Sequence, residues 1–199
     1  MTMLNKALCE ALDEARTGLD ALRANQATLN ALEKAGILLA ECFKKGGRVF
    51  SCGNGGSMCD AMHFAEELSG RFRNDRAPLA ATAISDASHL SCVSNDYGYA
   101  HVFARYIDAH ARPGDVLLAI STSGKSENVL LAIQSAKKKG ASVIGMTGKT
   151  DCPMASCCDL LLASPAGRYA DRVQELHIKM IHIMIELVER QLFPENYPA

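Results

Sequence analysis

The 199-residue sequence predicts an α/β protein: a three-layer, doubly wound, five-stranded parallel sheet preceded by a helical pair. Three observations carry that reading. From residue 48 onward, short apolar runs alternate with stretches of helical periodicity. The runs are too apolar to leave a wet face, as expected of strands covered on both sides. Gly, Ser, Thr and Asn gather just after the runs, where such sheets bind their ligands.

The elements follow in order. Residues 3–23 carry Leu4, Ala7, Leu8, Ala11 and Ala15 at helical spacing. Residues 26–44 carry Leu29, Leu32, Ala35, Leu38, Leu39 and Phe43 in the same way, and Gly46 and Gly47 end that helix. Five strands are expected at 48–52, 80–84, 116–120, 142–146 and 160–162. Helices are expected near 57–69, 88–94, 99–111, 126–139, 153–157 and 170–192. Residues 1–46 thus form a helical pair within a single domain, 47–193 the sheet domain, and 194–199 a tail.

Composition narrows the function. A hydrophobic content of 48% with 22% charged residues excludes collagen-like, coiled-coil and disordered chains. A net charge of −1 gives no electrostatic reason to expect nucleic acid or an anionic membrane as partner. No apolar run approaches the ~18–20 residues of a membrane helix. The acidic, amphipathic N-terminus is not a signal peptide. The eight cysteines lack C-x-x-C spacing, so neither a zinc ribbon nor a disulfide framework is expected, and reduced thiols fit a cytoplasmic protein. The helical pair and the largely apolar 170–192 helix need more neighbours than one short chain offers, which points to an oligomer.

Gly53-Asn54-Gly55-Gly56-Ser57 follows the first strand. Its glycines let backbone N–H groups approach an oxygen-rich ligand, and Ser57 is placed to cap the next helix. Ser121-Thr122-Ser123-Gly124-Lys125-Ser126 follows the third strand. Four hydroxyls at a helix start exceed what capping needs and suit a phosphate. With Ala119, the Gly124-Lys125-Ser126 triplet also mimics a P-loop, and Thr147-Gly148-Lys149-Thr150 echoes it. The loop is short for a triphosphate, and no apolar run ends in a magnesium-binding Asp, so a kinase is the weaker reading.

Asn95 and Asp96 could accept hydrogen bonds from sugar hydroxyls, although alone they read as an Asx turn. His63 and Glu67, at i and i+4, share a helix face and could chelate a divalent metal or form an ordinary surface pair. Gln174, His177 and His182 lie on the last helix, and periodicity does not choose between the two histidines.

Together, Cys52-Gly-Asn-Gly-Gly-Ser57, His63-Phe-Ala-Glu-Glu67, Ile84-Ser-Asp86, Asn95-Asp96, Ile120-Ser-Thr-Ser-Gly124 and Arg172-Val-Gln-Glu-Leu-His177 with His182 resemble phosphoheptose isomerases of the flavodoxin-like sugar-isomerase (SIS) fold. The resemblance spans nearly the whole chain and departs at Met58, where many relatives carry His. It implies conversion of sedoheptulose 7-phosphate to D-glycero-D-manno-heptose 7-phosphate for bacterial lipopolysaccharide heptose. It implies phosphate binding by Ser121, Thr122, Ser123 and Ser126. Further substrate contacts are implied at Asn54, Gly55, Gly56, Ser57, Glu67, Asn95, Asp96 and Gln174. It also implies one Zn²⁺ per subunit held by His63, Glu67, Gln174 and His182, in a homotetramer with active sites between subunits. Enediol chemistry then needs a base and an acid, for which Glu67 and His182 are the candidates. A non-catalytic SIS module, sensing sugar phosphates or assisting a replication initiator, is the alternative. Such a module would have no need of the acid and base.

Overall fold

The structure is a computed structural model that describes residues 2–164 and 166–198. Five parallel strands form one sheet in the order β2-β1-β3-β4-β5. They are β1 (Val49–Gly53), β2 (Ala81–Ala83), β3 (Val116–Ile120), β4 (Ser142–Thr147) and β5 (Leu160–Ala163). Val49 faces Ala81 on one side and Val116 on the other, and Gly53 ends level with Ile120. Every residue of β1 and β3 is buried, which is why their sequences are apolar without alternation.

Among the described residues seven α-helices surround the sheet: α1 (Met3–Ala24), α2 (Gln26–Lys44), α3 (Gly56–Ser69), α4 (Ala87–Tyr97), α5 (Val102–His110), α6 (Glu127–Lys138) and α7 (Ala170–Leu192). Strand alternation divides the core in two. Val116, Leu118 and Ile120 face Leu39, Phe64, Leu68 and Met184, whereas Leu117 and Ala119 face Val93, Phe103, Ile107, Val129 and Ile133. One outer layer is therefore α4–α6, and the other is α2, α3 and α7 with α1 leaning on them.

Several boundaries differ from expectation. Helix α4 runs on to Tyr97, so Asn95 and Asp96 are helical and not in an Asx turn. Asp86 caps its start by accepting from the His89 N–H (2.8 Å), and Gly98 at φ 86° ends it. The expected 99–111 helix divides into a 3₁₀ turn, Tyr99–His101, and α5. Residues Pro153–Ser156 make a single 3₁₀ turn, not a helix. The expected tail docks: Tyr197 donates to Glu189 Oε2 (2.5 Å) and Asn196 donates to the Asp75 carbonyl (3.1 Å).

The apolar face of α7 finds its neighbours inside the chain. Met180, Ile181, Met184, Ile185 and Val188 are fully buried, and Gly36 of α2 lies so close that a Cβ there would meet Leu187 Cβ at 2.7 Å. The unpartnered surface is instead on α1, where Met3, Leu4, Leu8, Leu12 and Leu19 are exposed. Behind α3, the buried Arg76 pairs with the buried Glu189 of α7 (2.7 Å) and donates to the carbonyls of Glu67 (2.7 Å) and Leu68 (2.8 Å). Arg76 thereby satisfies carbonyls that a helix end leaves free. Among the described residues no helix is long and apolar enough to cross a membrane, and the eight cysteines are free.

Candidate active site

The chain leaves β1 toward β2 on one side and β3 toward β4 on the other. The carboxyl ends of β1 and β3 therefore flank a crevice at the topological switch point. The Gly53–Ser57 and Ser121–Ser126 loops stand on its two walls. Gly55 adopts φ 55° and opens α3. Ser57 does not cap that helix: it lies within the first turn, buried, and no side chain caps the start. The neighbouring Gly53 explains the tight turn, since a Cβ there would sit 2.7 Å from the Ser57 carbonyl oxygen.

The opposite wall gathers hydroxyls. Ser121 Oγ lies 2.9 Å from Ser126 Oγ and 3.4 Å from Ser123 Oγ. Ser126 occupies the N-cap of α6 yet makes no capping bond with its side chain, because its hydroxyl turns to Ser121. Three hydroxyls thus converge at a helix start, where dipole and N–H groups favour an anion. The Thr122 carbonyl accepts from the Gly148 N–H (3.0 Å), tying this loop to the end of β4. Ala119 and Ile120 are strand residues paired with Gly145 and Met146, so the loop is too short to wrap a triphosphate. The P-loop reading loses its geometric basis there.

Asn128 is a site residue that the sequence did not single out. Its buried amide exchanges two hydrogen bonds with Asn54, 2.9 and 2.8 Å, and so joins the glycine loop to α6. Tyr99 donates to the same Asn54 Oδ1 (2.9 Å). By contrast, Asn95 and Asp96 stand exposed on α4 and bond each other (2.8 Å). Among the described residues no hydrogen bond links either of them to the hydroxyl loop.

Along α3, Gly56, Asp60, His63 and Glu67 form one stripe facing α7. Helix periodicity supplies that stripe, and packing brings α7 against it. His63 Nε2 lies 3.1 Å from Glu67 Oε1 and 3.4 Å from His182 Nε2. The tertiary structure therefore selects His182 over His177. His177 is fully buried, and neither ring nitrogen has a hydrogen-bond partner among the described residues. Burial lowers its pKa to about 4, with the Thr147 backbone opposing weakly. Burial first, then His63, lowers the pKa of His182. Burial raises Asp60 to about 6 against the opposing pull of His63, and its Oδ2 is buried without a partner. The cluster borders a cavity of about 340 Å³ lined by Phe72, Arg73, Lys179, His182 and Glu186.

Ligand atoms of His63, Glu67 and His182 all lie within 4.8 Å of one another. Ligands around a tetrahedral zinc, with Zn–N at about 2.0–2.1 Å, stand roughly 3.3 Å apart. The observed 3.1 and 3.4 Å separations fit that geometry, and two imidazoles with a carboxylate are a borderline-soft donor set suited to zinc. Gln174 is placed elsewhere. It lies two turns earlier on α7, about 12 Å of helical rise from His182. Its amide packs on Gly56, where a Cβ would meet Nε2 at 2.5 Å. Within one chain Gln174 thus belongs to the glycine-loop end of the α3–α7 groove.

Residues 12–148 match the SIS-domain family model. A phosphoheptose isomerase from Tolumonas auensis is 54% identical over 190 residues, covering 96% of this chain and 99% of that protein. One from Enterobacter sp. is 55% identical over 181 residues, covering 91% and 94%. The chain belongs to the phosphoheptose isomerase family. The solved phosphoheptose isomerase from Neisseria gonorrhoeae superposes with a TM-score of 0.87 at 36% identity, covering 94% of this chain and 99% of that one. That from Francisella tularensis gives 0.88 at 31%, covering 96% and 100%.

Proposed function

We infer that this chain is an aldose–ketose isomerase that converts sedoheptulose 7-phosphate to D-glycero-D-manno-heptose 7-phosphate, in the cytoplasm, for lipopolysaccharide heptose. The observation that carries this reading is the α3–α7 groove. One end holds Glu67 and His182 beside His63, and at the other Gln174 packs on Gly56 of the glycine loop, which faces the convergent hydroxyls of Ser121, Ser123 and Ser126 across the crevice.

The ketose-to-aldose step removes a proton from C1, passes through a cis-enediol, and returns a proton to C2. Glu67 Oε1 faces His63, which leaves Oε2 to take the C1 proton and give it back at C2. The His182 imidazole, neutral near pH 7 because burial disfavours its charge, passes its N–H proton to O2 as the enediol forms and regains one from the O1 hydroxyl as the aldehyde forms. His63, Glu67 and His182 would hold a zinc ion, with Gln174 its fourth ligand only if the groove rearranges or another subunit supplies it. When bound, the zinc offers Lewis-acid polarisation of the substrate carbonyl.

A homotetramer with inter-subunit sites completes the proposal. The exposed Met3, Leu4, Leu8, Leu12 and Leu19 of α1 support it, because such an apolar stripe is stable in water only when covered. The deciding experiment is a coupled assay with sedoheptulose 7-phosphate. Turnover to the aldose supports the isomerase, whereas tight binding without turnover would favour the sensing module.

A further inference from the structure

The cradle's hydroxyls carry no charge, yet a sugar phosphate near pH 7 is largely a dianion. Hydroxyls and N–H groups orient such an anion, but a cation distinguishes it from a neutral sugar. The cations near the cradle differ in availability. Arg172 is committed to Glu14 (3.1 Å) and Glu175, and Lys125, in the hydroxyl loop itself, is exposed and does not line the cavity beside it. Lys149 and Arg168 form no ion pair among the described residues.

Both of these residues line one cavity of about 220 Å³ together with Thr122, Ser123, Gly148 and Tyr169. The cavity is continuous with the cradle, because Thr122 and Ser123 form its wall. Two contacts hold the chain there. The Gly148 N–H donates to the Thr122 carbonyl (3.0 Å), which fixes Lys149 one residue beyond the hydroxyl loop. The Lys149 N–H donates to Thr147 Oγ1 (3.2 Å), which fixes its main chain. Arg168 lies over the Tyr169 ring, 5.3 Å from its centroid, at the opposite lip and two residues before α7.

We propose that Lys149 and Arg168 are the phosphate-selecting residues of this enzyme. They supply countercharge across the 220 Å³ cavity to the dianion that Ser121, Ser123 and Ser126 orient. The proposal rests on the cradle reading and deepens it, since it concerns how substrates are chosen, not how the proton moves. Neither residue touches the reacting carbons, so the pair acts on binding and leaves the isomerisation step alone.

The test measures KM and kcat for sedoheptulose 7-phosphate at several salt concentrations in the full-length protein. Exposed charge pairs contribute little each, so Lys149→Gln and Arg168→Gln should each raise KM about threefold, and the double variant about tenfold, with kcat within twofold. Wild-type KM should rise with salt, and that dependence should flatten in the double variant. Lys149→Arg and Arg168→Lys should retain the salt dependence, which separates charge from packing. Unchanged KM and salt dependence in the double variant, with Ser123→Ala still raising KM, would overturn this proposal and spare the cradle. An unchanged KM in both Ser121→Ala and Ser123→Ala would remove the cradle and the proposal with it.

Discussion

Asn54 and Asn128, 74 positions apart, exchange two amide hydrogen bonds of 2.9 and 2.8 Å across the switch-point crevice. The pair locks the glycine loop to the first turn of α6, so two loops from different strands hold one spacing. Leaving a buried amide unpaired costs about 1–3 kcal/mol. Asn128→Ala should therefore destabilise the fold by that amount and raise KM for the sugar phosphate more than it lowers kcat. A KM equal to wild type would show that the loops keep their spacing without the pair.

Glu67→Gln and His182→Ala should each lower kcat by at least ~10²-fold, the scale of a lost general base or acid. Steady-state kinetics on folded variants checks this, and near-wild-type turnover in either would remove the role assigned to it.

Zinc titrated into chelator-treated protein should bind with one ion per subunit, measured by calorimetry. His63→Ala and His182→Ala should abolish that binding. Retained stoichiometric binding in both would place the ion elsewhere.

The buried Arg76–Glu189 pair stands behind the Glu67 turn of α3, touching the Glu67 carbonyl. Removing one partner of such a pair strands the other charge, at a cost of about 3–5 kcal/mol. Glu189→Ala should lose that much in denaturant unfolding. A loss under 1 kcal/mol would mean that water reaches Arg76.

Acid should weaken the fold through His177. Its pKa falls from 6.5 in the free side chain to about 4 when folded, so the unfolded chain alone takes up this proton between those values. Stability is complete above pH 6.5 and declines as pH drops toward 4, by about 3 kcal/mol over the window. Asp60 runs the other way: raised from 3.8 to about 6, it gains its proton first in the folded state and offsets part of the loss. Melting temperatures of His177→Leu between pH 7.5 and 5 should fall less than those of wild type. Parallel curves would acquit His177.

Sequence alone determined the alternation of strands and helices, and with it the crevice at the strand ends. Apolar runs such as Val116–Ile120 can satisfy their surface only when covered on both faces, so the parallel sheet was legible before any coordinates. The glycine loop and the hydroxyl loop were legible for the same reason, because strand ends in such sheets are where binding groups stand. Periodicity also placed His63 and Glu67 on one face of α3. It could not choose between His177 and His182, since both sit on an apolar helix. Only the docking of α7 buried the first, without a hydrogen-bond partner among the described residues, and set the second 3.4 Å from His63 of α3. The same packing drew Gln174 to Gly56, and it satisfied the apolar face of α7 within the chain, leaving α1 as the exposed surface. The Asn54–Asn128 pair and the Arg76–Glu189 pair were equally out of reach. Local spacing fixes which residues share a face, whereas contacts between residues 74 and 113 positions apart depend on how whole elements dock.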